Sequence, residues 1–377
     1  MAVRAAAPST PSGSPSPANG RGRIEARLDA DLSEALAEAV RSASERGAPL
    51  RIVGGDTKGF YGRRVDGEVL DVSGHRGVVA YEPSELVITA RAGTPIGEIE
   101  ALLAAHGQTL AFEPPVFGAA STLGGVVAAG LSGPTRPFAG AVRDCVLGVT
   151  VLDGRGRALR LGGVVFKNVA GFDGFRLMAG ALGCLGVLLD VSLRVVPTPR
   201  AEMSLAFEED WPAGASRITA LMRRPLPLSA AFHDGERLML RLSGPEAAVR
   251  ATAGELGGEA VSPGFWDGVR HMTFGLLAAP RLWRLSVPRG ATIAGLDGRW
   301  LMDWGGAQRW LVTDELAEAV CAAAAAASGH ATLFRGAAAG EAVFTRLPRP
   351  LFELHRRLKA AFDPAGVFNP GRMYEGL

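Results

Sequence analysis

The sequence is poor in cysteine. Its 377 residues contain three, Cys145, Cys184 and Cys321, and no two share the Cys-x-x-Cys spacing of zinc or iron–sulfur ligands. An odd, sparse count fits buried thiols in a reducing compartment, so a cytoplasmic location is expected. Electrons leaving through iron–sulfur clusters would then need another polypeptide. Charge of one sign is also missing. A formal net charge of +2 gives no electrostatic case for nucleic acid. No apolar run reaches 18 residues, and the Ala-rich stretch 318–328 is too short and weakly apolar to span a bilayer. Peripheral attachment through partners stays open. Residues 1–22 lack the apolar core of a signal peptide and read, with residue 23, as a disordered tail. Their Arg-bearing, acid-free composition leaves a transit peptide as the alternative. Finally, no Walker motif is present, and no G-x-G-x-x-G follows a strand with an acid some twenty residues on.

Glycine, by contrast, is abundant: 50 of 377 residues, against a usual share of about 7%. The surplus gathers in 54–59, 118–140, 154–186 and 254–268. Clustered glycine means that the backbone turns sharply or approaches something closely; for 254–268 the reading is loop structure alone. Around these clusters the apolar periodicity predicts a helix over 32–46 and strands at 50–53, 68–72, 78–81 and 86–92. Thr94 and Pro95 open a helix to His106. A short helix follows at 121–129, then a strand–turn–strand unit at 146–152 and 158–161, and a helix near 173–181. Val187, Leu189, Val191, Leu193 and Val195 alternate on one side of a strand that stops at Pro197, the first domain boundary. Beyond it, strands near 203–207, 237–242, 282–287, 299–304, 308–312 and 330–335 interleave with helices near 213–223, 245–256 and 314–328. That rhythm is an α+β layer with an antiparallel sheet. A helix over 351–362 closes the pattern.

Three glycine loops carry chemistry. After the strand at 50–53 come Val53, Gly54, Gly55, Asp56, Thr57, Lys58 and Gly59. Consecutive backbone N–H groups in such a turn can surround a pyrophosphate, with a Thr57 hydroxyl and a Lys58 charge added. An ordinary glycine turn explains this loop equally well. The second runs from Pro114 and Pro115 through Ser121, Thr122, Gly124 and Gly125 to Gly130. Ser121 or Thr122 would cap a helix whose N-terminus favours an anion; tight helix–sheet packing is the alternative. The third joins Lys167-Asn-Val-Ala-Gly-Phe-Asp173 to Gly183, Gly186 and Val187.

The order of these loops resembles the FAD-binding domain of the vanillyl-alcohol oxidase and p-cresol methylhydroxylase superfamily. Within it, the chain is similar to the smaller flavin subunits of bacterial glycolate oxidases. The matching stretches are 52–59, 121–125, 143–148, 167–171 and 183–197, then Asp303-Trp-Gly-Gly-Ala-Gln-Arg-Trp310 and Phe362-Asp-Pro-Ala-Gly-Val-Phe-Asn-Pro-Gly-Arg372. The resemblance implies an α+β fold: a two-part FAD-binding domain of the p-cresol methylhydroxylase type at 24–200, a cap domain at 201–345, and a segment at 346–377 returning to the flavin. It also implies that 53–59 contact the pyrophosphate, that 114–140 run along the flavin, that 183–187 lie on the adenine side, and that Asn369 lies near the flavin. No His, Cys or Tyr stands between Val53 and Gly59, so the FAD is expected to be non-covalent. Gly55→Val is expected to abolish its binding by filling phosphate space and forbidding a positive φ. The implied partners are a larger flavin subunit, an iron–sulfur subunit and a small 2-hydroxy acid substrate.

Oxidising such an acid needs a base for the hydroxyl proton and cations for the carboxylate. His75, His106, His233, His271, His330 and His355 form no close pair. Related dehydrogenases carry a His-rich segment where this chain offers His330 alone, so no catalytic residue is assigned. Arg309 and Arg335 could clamp a carboxylate or act as structural ion-pair partners. The leading expectation is a flavin subunit of a multi-component glycolate oxidase. The alternatives are a self-sufficient 2-hydroxy acid dehydrogenase and a non-catalytic electron-relay subunit.

Overall fold

The computed structural model describes residues 30–163, 173–262 and 264–377. The expected tail and the Lys167–Phe172 part of the third loop lie outside the described residues.

Helix α1 (Ser33–Arg46) buries Leu36, Ala37, Val40 and Ala43 on one face and ends on Gly47 at φ 62°. Strand β1 (Leu50–Val53) pairs in parallel with β2 (Glu68–Asp71). Next come β3 (Val78–Glu82), β4 (Val87–Arg91), α2 (Ile96–Ala104) and the short β5 (Gln108–Thr109). Pro95 caps α2, while the Thr94 hydroxyl is drawn away to the Gly77 backbone. Helices α3 (Leu123–Ala129), α4 (Arg136–Ala139) and α5 (Val142–Cys145) lead into β6 (Val146–Leu152), β7 (Ala158–Gly162), β8 (Val187–Arg194) and β9 (Val196–Pro197). Five of these strands form an antiparallel sheet in the order β3-β4-β8-β6-β7.

Two expectations change here. The strand β8 is central and covered on both sides, so it is not simply amphipathic. Val187 and Leu189 join the core under α1, whereas Leu188, Val191 and Leu193 join the core under α2 and α3. A register shift against β6 at Thr150/Val151 accompanies the change of face. The helix expected over 173–181 is only a 3-10 turn at Gly174–Met178. Gly180, Leu182 and Gly183 all take positive φ, which ends helical winding.

The second half begins with β10 (Ala201–Glu208), α6 (Trp211–Leu221), β11 (Leu228–His233), β12 (Arg237–Gly244) and α7 (Glu246–Leu256). It continues with β13 (Glu259–Ala260), α8 (Gly264–Arg270), β14 (Leu282–Ser286), β15 (Arg299–Asp303), β16 (Gln308–Val312), α9 (Ala317–Ala326) and β17 (His330–Arg335), then α10 (Arg349–Phe362). The eight strands form one antiparallel sheet, ordered β13-β10-β12-β11-β15-β16-β14-β17. One face packs Phe232, Trp310 and Phe334 against Tyr61, Leu131 and Leu182 of the first half. The other carries two separate cores, one under α6 and α7, the other under α9.

The two halves are also tied by polar contacts. Glu113 accepts two bonds from the buried Arg241, at 2.8 and 3.0 Å. Trp304 Nε1 donates to Gly133 O at 3.0 Å, which gives the Asp303–Trp310 stretch a role in joining cap and loop. The chain then returns. Leu50 N donates to Val367 O at 2.7 Å and Asn369 N to Leu50 O at 3.0 Å, adding the C-terminal segment beside β1. Beneath it, Lys359 Nζ donates to Asp363 Oδ2 at 2.8 Å and Cys184 O at 2.9 Å.

Candidate functional site

The turn after β1 forms a cavity with the start of α3 and the returning segment. It is lined by residues 51–59, Val65, Thr122, Gly125, Ala128, Ala129, Leu182, Asn369 and Arg372. Glycine is required where loops touch. A Cβ on Gly54 would lie 2.4 Å from Thr122 Oγ1, and one on Gly55 would lie 1.6 Å from the Ala120 carbonyl oxygen. The reason for glycine at 55 therefore differs from the sequence expectation. Its φ is not positive, Asp56 takes the left-handed turn at φ 49°, and the obstacle is the neighbouring loop.

Asn369 fixes one wall. Ile52 N donates to its Oδ1 at 2.8 Å, and its Nδ2 donates to Leu182 O at 2.7 Å. Arg372 donates to Tyr61 O and Arg63 O at 2.7 and 2.9 Å, holding the loop that leaves the cavity. On the other side Thr57 and Ser121 share a 2.8 Å hydroxyl bond, and Thr122 caps α3 by accepting from Gly125 N. Lys58 lines the cavity, donates to Ser121 Oγ at 3.4 Å and lies 5.7 Å from the Phe117 ring centroid. Burial alone pushes its pKa down to about 8. A desolvated ammonium beside a helix N-terminus and glycine N–H groups suits a diphosphate. The cavity thus fits the phosphates of FAD, which Val53 to Gly59, Thr122, Gly125 and Asn369 would hold.

Other expected site residues lie elsewhere. A Cβ on Gly124 would meet Ala92 at 2.8 Å, and one on Gly186 would meet Val151 at 2.5 Å, so both serve close packing. Val187 is fully buried in the core under α1. Gly183 abuts Asn369. Pro115 borders a small gap with Trp304 and Trp310, where burial pushes the Asp303 carboxyl up to about 7. Cys184 is buried and its thiol is raised to about 11, which leaves it unreactive.

Gly130 belongs to a second, larger space. Past Ala129, which borders both, a cleft of about 700 Å³ opens between α3 and the cap sheet. Arg136, Arg143, Arg284, Arg346, His330, Tyr61 and Tyr374 line it, and no Asp or Glu does. Arg284 donates to the Tyr61 hydroxyl at 3.1 Å, and the Arg136 guanidinium lies 4.2 Å from the Trp304 ring centroid. Burial and then the charges of Arg143 and Arg284 lower the Arg136 pKa. Desolvation and then Arg284 lower that of His330, favouring neutral imidazole. Asp144 lies outside the lining but pairs with Arg143 at 3.9 Å, so the surplus positive charge of the cleft rests on Arg136, Arg284 and Arg346 and favours an anion.

Sequence reasoning missed this cleft because its arginines come from three separate segments, around 136–143, 284 and 346, that only the fold brings together. It named His330, which lines the cleft, but misplaced the arginine clamp. Arg309 faces the far side of the cap sheet, and Arg335 is occupied by Leu277 O and Ala279 O. The remaining histidines are structural or exposed. His75 accepts from Leu32 N, His271 from Val116 N, and His233 lies under α6; His106 and His355 are on the surface. Among the described residues, no group of three His, Cys, Asp or Glu could hold a metal ion.

Comparisons with known proteins identify the family of the chain. Residues 27–162 match the FAD binding domain family, and 336–373 match the C-terminal domain of FAD linked oxidases. Glycolate oxidase subunit GlcE of Escherichia coli (strain K12) is 47% identical over 350 residues, covering 93% of this chain and 99% of that protein. A D-lactate dehydrogenase of Anaerostipes hadrus is 28% identical over 49% of this chain and 39% of its own length. Glycolate oxidase subunit GlcD of Bacillus subtilis (strain 168) is 28% identical over 42% and 34%. The chain thus spans well under half of these two longer relatives. Among solved structures, alkyldihydroxyacetonephosphate synthase shares the fold, with a TM-score of 0.63 at 15% identity over 89% of this chain and 75% of that one.

Proposed function

The chain belongs to the glycolate oxidase subunit GlcE family of FAD-linked oxidoreductases, and from that premise we propose that it is the FAD-binding subunit of a multi-subunit glycolate oxidase. The reaction is oxidation of glycolate, a 2-hydroxy acid, to glyoxylate. Bound FAD supplies the hydride acceptor. The observation that carries the reading is the meeting, at Ala129, of the glycine cradle with a cleft lined by four arginines. In that cleft Arg284 and Arg136 bind the substrate carboxylate, and Tyr61 orients the Arg284 fork.

The FAD is held without a covalent bond by residues 53–59, with Thr122 and Gly125 at the start of α3 and Asn369 closing the cradle. Residues 24–200 make the flavin domain, 201–345 the cap and 346–377 the returning segment. The larger flavin subunit and an iron–sulfur subunit complete the assembly, because three scattered thiols offer no electron outlet. No helix among the described residues is long and apolar enough to cross a membrane. The assembly is cytoplasmic, and any contact with the inner membrane is peripheral and made by the partners.

The isolated, FAD-loaded chain is expected to leave its flavin oxidised when mixed with glycolate, because no paired base is present. The assembly purified from its host should reduce an acceptor with glycolate. In that assembly Arg284→Met should raise the glycolate KM about 10- to 100-fold, the effect of one charge-assisted hydrogen bond. An unchanged KM would overturn the assignment of the cleft. Rapid bleaching of the isolated chain would instead make it self-sufficient, with His330 as the base; His330→Ala should then abolish the bleaching.

A further inference from the structure

The seam between the two cores on the outer face of the cap sheet opens as a cleft of about 680 Å³. One wall is the first turns of α6, with Trp211, Pro212 and Ala215; the other carries Ile293 and Trp300. Its floor is Arg309, on β16, whose side chain emerges opposite to the flavin side.

Arg309 is unusual for its surroundings. It is 4% exposed, about as buried as Arg91 and Arg241, which are each 5% exposed. Those two sit on carboxylates, Arg91 on Asp31 and Arg241 on Glu113. Among the described residues, the partners of Arg309 are the Gly306 carbonyl and the face of Trp211, 5.3 Å from the guanidinium. No acidic residue lines the cleft. Desolvation lowers the Arg309 pKa to about 10, still leaving it charged at neutral pH. A guanidinium has five N–H donors in a fixed fork, and one carbonyl leaves most of them for the cleft. Burying an uncompensated charge destabilises a protein; a bound anion would offset that.

We propose that this cleft is a second binding site, separate from the flavin, for a carboxylate borne on an aromatic or apolar body. The carboxylate pairs with the Arg309 fork, and the body lies between the indoles of Trp211 and Trp300. The carboxylate belongs either to a small molecule or to an acidic side chain of a partner subunit. A volume within the usual range for ligand pockets accommodates both.

The test is thermal melting of the FAD-loaded full chain with millimolar benzoate, using benzamide as the uncharged control. Wild type and Arg284→Met should both gain melting temperature with benzoate but not with benzamide. Arg309→Met should keep its flavin spectrum and bind benzoate at least about tenfold more weakly. A benzoate shift that persists in Arg309→Met would overturn the proposal, as would no shift in wild type. A shift lost only in Arg284→Met would overturn it too and assign the anion to the flavin-side cleft. Repeating the titration on the complete assembly separates the sources. Saturation there without added benzoate identifies a partner carboxylate, and binding as in the free chain identifies a small molecule.

Discussion

The two glycine-rich regions at 54–59 and 254–258 look alike in composition and differ in everything else. At Gly54 and Gly55 a single added carbon would collide with the loop before α3. At Gly254 and Gly257 nothing lies within 4 Å of the position it would take, while at Gly258 it would meet only the Phe207 ring and Ala206 O of the neighbouring strand, at 2.8 and 2.9 Å. The first region has no room because two loops and a returning segment converge there around polar groups. The second ends a surface helix and turns the chain. Glycine content therefore marks a site only where backbones meet, and four substitutions can break or sharpen that contrast.

The largest effect is expected from Gly55→Val, which should remove FAD completely. The measure is yellow colour and flavin released on acid precipitation of the purified chain; retention of a full equivalent would contradict the account of the cradle. Next in size is Lys359→Met, beneath the returning segment. It leaves Asp363, 1% exposed, without its cation, and should cost about 3–5 kcal/mol of stability. Chemical denaturation would register it, and a midpoint equal to wild type would refute it.

A subtler effect separates cradle from surface through pH. Burial lowers Lys58 from the ordinary 10.5 to about 8 in the folded protein. Between those values the unfolded chain binds more protons than the folded one, so stability of the FAD-free protein rises with pH across that window. Below pH 8 both states are protonated and the dependence vanishes. Lys58→Met should flatten the rise, and bound FAD should shift it upward by favouring the charged lysine. The smallest effect belongs to the surface cluster. Gly254 lies inside α7 in open space, so Gly254→Ala should stabilise the protein by about 0.5–1 kcal/mol and leave FAD content unchanged. A loss of flavin there would erase the contrast.

Much of the cradle was legible because its parts are local. Strand, glycine turn and capped helix each occupy a few consecutive residues, and their chemistry depends on backbone groups. The cleft was not legible, since Arg136, Arg284 and Arg346 become neighbours only when the cap sheet folds over α3. Strand β11 escaped notice because Ala230 and Ala231 dilute its apolar pattern, and α8 because it lies inside a glycine cluster. The pair formed by Lys359 and Asp363 was available at i,i+4 spacing near the end of a periodic helix. What could not be read was that both groups would be buried.

The clasp made by Asn369 also sets an order of events in the life of the chain. Ile52 and its partner amide are 317 positions apart, so β1 and the phosphate loop emerge from the ribosome long before the residue that fastens them to Leu182. Until then the nascent flavin domain has one wall open and an unpaired amide on β1. Cofactor loading is therefore expected to be a late step of biosynthesis. Messages cut short before Asn369 would yield colourless protein, however completely they encode the glycine loops.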